Sequence, residues 1–200
     1  MQPVLADSDS DSDEAWAQRA LADREAFAEL VRRYADRIYN LAYRMTGNRA
    51  EAEDVAQETF IRAYRGLPGY RPQHPFGAWI YRIAVNVCLT HRQRPIGFAT
   101  EMLSEETDAI LDDILDDSIA VADLVERREV QATVQQAILR LPPMYRAVVV
   151  LYHLEGRSYG EIADLLHLPL NTVRTHLHRG RALLRETLAG SSGLRAPGNT

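Results

Sequence analysis

The sequence predicts an all-α protein of two small helical domains joined by a flexible acidic linker. Three observations predict it. Apolar residues recur at spacings of three and four over several separate stretches, the period of helices with one buried face. No sustained period-two run bounded by turns competes with them. Charge is also partitioned along the chain. Residues 1–18 hold five acids and no base, and residues 19–94 hold thirteen Arg against eight acids. Residues 95–126 hold ten acids and no base, and residues 127–200 hold ten Arg against five acids. The net charge of −5 therefore hides two basic blocks, and basic blocks suit a polyanionic partner.

The N-terminal stretch "MQPVLADSDSDSDE" lacks the basic start and apolar core of a secretory signal. Its Ser–Asp repeat cannot bury apolar surface, so residues 1–18 are expected to be a disordered acidic tail. A first domain is expected over 19–94. Residues 24–46 read as its first long helix, with Phe27, Leu30, Val31, Tyr34, Ile38, Leu41 and Met45 on one face. "TGN" breaks it. Asn48 and Glu51 then cap a second helix, whose inner face carries Val55, Ala56, Phe60, Ala63 and Tyr64. "GLPGYRPQHP" is a Pro/Gly-rich loop. A third helix follows Pro75, with Phe76, Trp79, Ile80, Ile83, Ala84 and Val87 inward and Tyr81, Arg82, Asn86, Thr90, His91 and Arg92 on the polar side. The linker is expected over 95–126, with a long helix running from about residue 118 to 140 until "LPP" ends it. The second domain is expected over 127–188, opening with that helix and another over 144–154 stopped at Gly156. A flexible tail, 189–200, closes the chain.

Within the second domain, "SYGEIADLLHLPLNTVRTHLHRGRALLR" runs from Ser158 to Arg185. Ser158 and Glu161 form a capping box. Ile162, Leu165 and Leu166 continue at helical spacing, and Pro169 cannot prolong the helix. Asn171 is the expected N-cap of the next one, whose inner face carries Val173, Leu177, Leu184 and Leu188. Arg174, His176, His178, Arg179, Arg181 and Arg185 supply its basic surface. Two short helices with a tight turn, the second basic, outline a DNA-binding helix-turn-helix. The plain alternative is an αα-hairpin with a solvated basic face.

Other classes find little support. The single cysteine, Cys88, excludes an internal disulfide framework and any multi-cysteine zinc site. Cys88 and His91 lie one helical turn apart, but a pair leaves a metal site incomplete. Of His153, His167, His176 and His178, the last two point to different helix faces. No nucleophile–base pair or phosphate-cradling glycine loop is visible, so no enzyme, cofactor or metal is expected. No apolar run reaches membrane-spanning length, so no membrane insertion is expected and the protein should be cytoplasmic.

Three segments together resemble the extracytoplasmic-function (ECF, group IV) sigma factors of bacterial RNA polymerase, in the sigma-70 family. They are "DVAQETFIRAYRGL", "FGAWIYRIAVN" and "LPPMYRAVVVLYHLEGRSYGEIADLLHLPLNTVRTHLHRGRALLR", and the resemblance spans about residues 24–94 and 127–186. It implies a σ2 helical bundle that grips the polymerase β′ clamp and opens the −10 element. It implies a σ4 domain that meets the β flap and reads the −35 duplex. Core RNA polymerase, promoter DNA and an anti-sigma factor are the implied partners, with no small-molecule substrate. The acidic linker would thread the polymerase cleft.

The resemblance assigns sites residue by residue. Asp54, Gln57, Glu58 and Arg62 match the polymerase-docking segment. Tyr70, Arg71, Trp79, Arg82 and Asn86 fall where the family handles the −10 non-template strand. Aromatic faces stack on unpaired bases while Arg tracks phosphates, and Asn86 offers both donor and acceptor to a flipped base. Trp79 can equally be a core aromatic. Asn171, Thr172, Arg174, Thr175, His176, His178, Arg179 and Arg181 match the −35-contacting positions. The chain departs from the pattern at Thr90, where Asp is usual, and at Asn171, where Gly is usual. His176 and His178 stand where Arg or an aromatic is common. A free-standing helix-turn-helix regulator would need only residues 127–186 and leaves the first domain unexplained. An enzyme with a DNA-binding tail would need a catalytic set that the first domain does not offer.

Overall fold

The computed structural model describes residues 12–91 and 124–192, and these form helices and connecting turns. The helices of the described residues are α1 (Asp13–Arg19), α2 (Arg24–Thr46), α3 (Arg49–Gly66), α4 (Phe76–His91), α5 (Leu124–Arg140), α6 (Pro143–Val149), α7 (Tyr159–Leu166) and α8 (Leu170–Ser192). A 3-10 turn, Leu67–Gly69, follows α3, and a π-helical turn, Val150–Leu154, extends α6. Helices α1, α3 and α4 and the bulk of α2 make one compact unit, and α5 to α8 make a second. The acidic linker lies outside the described residues up to 123; its last three positions begin α5. Among the described residues no helix is long and apolar enough to cross a membrane.

In the first unit the periodic apolar positions are the core. Phe27, Leu30, Tyr34, Ile38 and Leu41 of α2 are buried, as are Val55 and Ala63 of α3 and Phe76, Ile80, Ala84 and Val87 of α4. Gly47 takes a left-handed φ of 74°, a conformation that glycine adopts without a Cβ penalty, and so ends α2 where "TGN" stands. The Asn48 side chain accepts hydrogen bonds from the backbone N–H groups of Ala50 and Glu51 at 2.9 and 3.2 Å. One expectation for α3 fails: Tyr64 is exposed, resting one edge on Phe27 at 5.0 Å.

The tail expectation for residues 1–18 also needs correction. Residues 13–19 are helix α1, with Ser12 as N-cap accepting from Ala15 N–H at 3.1 Å. Two of the acids counted in that tail, Asp13 and Glu14, find partners. Asp13 accepts from the Tyr34 hydroxyl at 2.5 Å and from Arg33 at 3.0 Å. Glu14 accepts from the backbone N–H of Phe76 at 2.9 Å. Trp16 lies under the guanidinium groups of Arg19 and Arg33. Residues 1–11 lie outside the described ones.

In the second unit, Ala137, Ile138 and Leu141 from α5, residues 147–151 from α6 and its π turn, Ile162 and Leu165 from α7, and Val173, Leu177 and Leu184 from α8 are buried. Buried Arg146 closes the end of α5, donating to Ile138 O at 3.1 Å, Leu141 O at 2.9 Å and Leu139 O. A cation suits the negative end of the α5 dipole. The helix expected over 144–154 ends as a π turn in which Glu155 N–H reaches back to Val150 O. Helix α8 continues to Ser192, beyond the expected start of the tail at 189; residues 193–200 lie outside the described ones.

Candidate nucleic-acid interface

On α3, Ala52, Val55, Thr59 and Ala63 turn inward. The opposite face carries Asp54, Gln57, Ile61 and Arg62, all exposed, and the half-buried Glu58. Arg62 is not a loose cation: its Nε donates to Glu58 Oε1 at 2.7 Å. That pair spans one helical turn, whereas Asp54 and Gln57 stand on open surface.

Arg62 also lines an open concavity of about 380 Å³ with Gly66, Gly69, Trp79, Ile83 and Asn86. The structure thus joins a residue expected in the docking set to two expected in the −10 set. Trp79 is half-buried. One side packs on Tyr70 at 5.1 Å and Phe76 at 5.5 Å, and the rest faces the concavity. Gly66 sits against that indole; an added Cβ would lie 3.4 Å from its ring. Asn86 is exposed at the rim. Tyr70 stands behind the site, its hydroxyl donating to His74 O at 2.6 Å. Burial, helped by the nearby acids Glu14 and Asp13, pushes its phenol up to about 12. Arg71 is exposed and Arg82 half-buried, and neither lines the concavity. Gly66, Gly69 and Ile83 were missed by sequence reasoning; the Pro/Gly-rich loop after α3 was the available signal for the first two.

In the second unit the capping box forms as read. Ser158 Oγ accepts from Glu161 N–H at 3.3 Å and Glu161 accepts from Ser158 N–H at 2.9 Å. The bond from Ser158 N–H, and then the Ser158 hydroxyl donating to the same carboxyl at 2.8 Å, hold Glu161 below its usual range. His167 ends α7 in the left-handed conformation, φ 53°. Helix α8 then starts at Leu170, with Pro169 O accepting from Thr172 and Val173. Asn171 is therefore an exposed first-turn residue and not the N-cap.

The eight residues expected to meet the −35 duplex divide. Asn171 and Arg174 are exposed, and Thr172, Thr175, His178 and Arg179 are half-buried. Thr175 Oγ1 donates to Asn171 O at 2.9 Å. Arg179 reaches the Tyr145 hydroxyl at 3.4 Å. His176 leans on Tyr145 at 5.1 Å with Nδ1 buried and unbonded among the described residues. Burial, and secondarily the charge of Arg179, lowers its pKa. Arg181 is the clear correction. It is 3% exposed, donates from Nε to His153 Nε2 at 3.1 Å and lies 5.2 Å over the Tyr152 ring. A residue so placed braces the α6 π turn against α8 and does not face a duplex. Among the described residues no three His, Cys, Asp or Glu gather as a metal set, and Cys88 is buried in α4.

Comparison with known proteins matches both units to one family. Residues 30–94 match the Sigma-70 region 2 family and residues 131–184 match Sigma-70 region 4. The ECF RNA polymerase sigma factor SigW of Bacillus subtilis is 41% identical over 169 residues, covering 83% of this chain and 90% of that protein. The ECF RNA polymerase sigma factor SigE of Mycolicibacterium smegmatis is 43% identical over 170 residues, covering 82% of this chain and 62% of that longer protein. The solved structure of CnrH in complex with the cytosolic domain of CnrY superposes with a TM-score of 0.64 and 26% identity, over 90% of this chain and 99% of CnrH.

Proposed function

The chain belongs to the ECF RNA polymerase sigma factors of the sigma-70 family, and from that premise we propose how its surfaces direct core RNA polymerase to a promoter. The reading rests on one observation above the rest. A single chain pairs a region 2 unit, in which Arg62, Trp79 and Asn86 line one open concavity, with a region 4 helix-turn-helix that exposes Arg174. Melting a promoter calls for a protein that holds unpaired strand. In the first unit Trp79 supplies a ring for stacking and Arg62 a cation for phosphate. Asn86 supplies both donor and acceptor for the edge of a flipped −10 base. Arg71 and Arg82 flank this site as further phosphate contacts.

In the second unit the first turns of α8 enter the −35 major groove. Arg174 and Arg179 suit guanine or phosphate. Asn171, Thr172, Thr175 and His178 add polar contacts, and the backbone N–H groups of the helix start suit a phosphate. His176 supports this face from behind, and Arg181 has no place in it. Asp54 and Gln57, with the Glu58–Arg62 pair, form the polymerase-docking face. We assign σ2 to 19–94, extended to include α1, and σ4 to 127–188. CnrH is solved with a protein partner, and the resemblance extends an anti-sigma partner to this chain. The protein is then a cytoplasmic initiation factor with no reaction of its own.

The test is co-elution with core polymerase and run-off transcription. The chain should need core enzyme to select a promoter, whereas a free regulator would bind the duplex tightly alone. Within that assay Asn86→Ala should cut open-complex formation and relax the preference at one −10 base, by roughly 1–3 kcal/mol of discrimination. Equal transcription from −10 variants before and after the change would remove Asn86 from the site.

A further inference from the structure

The acidic N-terminal helix touches the machinery of the first unit at one backbone group. Glu14 Oε1 accepts from the N–H of Phe76 at 2.9 Å. Phe76 is the first residue of α4, and the 62 positions between donor and acceptor make this a tertiary bond. The first N–H groups of any helix have no intrahelical partner, and a carboxylate there also meets the positive end of the helix dipole. Glu14 does from a distance what an N-cap does locally.

What that bond holds is the ring cluster against which Trp79, the aromatic residue lining the concavity, packs. Phe76 is fully buried. Its ring meets Tyr34 at 5.5 Å, Tyr70 at 5.6 Å and Trp79 at 5.5 Å. Tyr70 in turn meets Trp79 at 5.1 Å. The same short helix grips α2 through Asp13, which accepts from Tyr34 and Arg33. Asp13 and Glu14 therefore tie α1 to α2 and to the start of α4. Trp79, Ile83 and Asn86 follow on α4 at spacings of three and four, and all three line the concavity. Phe76 thus touches Trp79 directly and begins the helix that carries Asn86.

We propose that Glu14 is a positioning residue for −10 recognition: through the Phe76 N–H it sets the start of α4, and thereby the placement of Trp79 and Asn86 around the unpaired base. This deepens the −10 reading above and rests on it. Glu14 touches no DNA in this account. Burial first, and then the charges of Glu14 and Asp13, push the Tyr70 phenol up.

The experiment uses the full chain with core polymerase and compares Glu14→Ala, Glu14→Gln and Asn86→Ala. Three quantities are read: affinity for core enzyme, affinity of the holoenzyme for a single-stranded −10 non-template oligonucleotide, and discrimination against that oligonucleotide with its recognised base replaced. Gln keeps an oxygen that can accept from Phe76 N–H, and Ala does not. Glu14→Ala should weaken binding of the cognate strand by about five- to tenfold, the scale of a lost helix cap. It should shrink discrimination at the recognised base while core affinity holds, and Glu14→Gln should restore both. A loss of helix stability alone would lower the melting temperature without changing the ratio between the two oligonucleotides. Wild-type strand binding in Glu14→Ala, an unchanged ratio, or equal damage in Ala and Gln overturns the proposal. If Glu14→Ala does not yield folded protein, Glu14→Gln decides alone: retained discrimination supports the capping role and lost discrimination ends it. Asn86→Ala reports on the underlying reading. If it leaves discrimination intact the −10 site itself is misplaced, whereas damage there with none at Glu14 sinks only the positioning role.

Discussion

Arg174 and Arg181 are seven positions apart on α8, close to two full turns of 3.6 residues. Yet one is exposed and the other is covered by His153 and Tyr152 of the π turn. They should fail differently. Arg174→Ala should lower −35-dependent transcription and leave the melting temperature unchanged. If Arg174 reads a base, one −35 position relaxes; if it holds only phosphate, the salt slope of binding falls by about one unit. Arg181→Ala should instead destabilise the domain by about 1–3 kcal/mol, since it takes the donor from a half-buried acceptor. A melting curve beside a −35 binding curve separates the two, and an unshifted melting curve for Arg181→Ala would return that residue to the DNA face. His176 provides a pH check. Its folded pKa is lowered from 6.5 by burial and then by Arg179, so the unfolded chain takes up the proton first. The stability tied to neutral His176 is present above 6.5 and declines as pH falls through the window below it. An NMR titration of the ring should place its midpoint below 6.5; a midpoint at or above that value contradicts the packing against Tyr145.

The helix-turn-helix depends on how closely α8 can approach α6. Gly180 is buried at that crossing, and a Cβ there would lie 2.7 Å from Val149 Cγ2 and 3.6 Å from the Tyr145 backbone oxygen and Cβ. Val149 is itself fully buried and β-branched, so it has little freedom to move aside. Glycine lowers the helix propensity of α8 by about 1 kcal/mol relative to alanine, and the close approach is what the position gains in return. Gly180→Leu should therefore destabilise the second unit by about 1–3 kcal/mol or more through overpacking. It should also displace Tyr145, against which His176 and Arg179 rest. Thermal unfolding checks the first effect and −35 duplex binding the second. A Leu variant as stable as the parent would mean that α6 and α8 do not cross this closely.

At the scale of the whole molecule, the division of charge matters more than its total. The basic blocks coincide with the two helical units, and the most acidic stretch, 95–126, lies between them in sequence. The docking and DNA-reading roles proposed for the first unit can be tested apart, because Asp54 and Gln57 stand clear of the concavity. Asp54→Arg should abolish co-elution with core enzyme and leave the melting temperature unchanged. Glu58 is a poorer probe, since reversing it also frees Arg62 from its 2.7 Å bond and so alters the −10 rim. If Asp54→Arg still co-elutes with core polymerase, the docking face lies elsewhere.

Local information was enough for the helices and for most of their inner faces. Helical period marks the buried stripe of α2, Gly47 and Gly156 turn with positive φ where breaks were read, and the Ser158–Glu161 box forms within four residues. Each of these is settled by neighbours in sequence, and the resemblance to sigma factors rests on such local strings. Tertiary packing decided what periodicity leaves equal. Arg174 and Arg181 share a stripe of α8, and only the π turn, whose course no local pattern announces, buries one of them. The Ser–Asp stretch reads as solvated because composition weighs acids against water; Asp13 and Glu14 are held by Tyr34, Arg33 and the Phe76 N–H, groups 20 to 62 positions away. Arg62 joins Trp79 and Asn86 for the same reason: a concavity belongs to two helices at once, and a single helix's spacing carries no record of its neighbour.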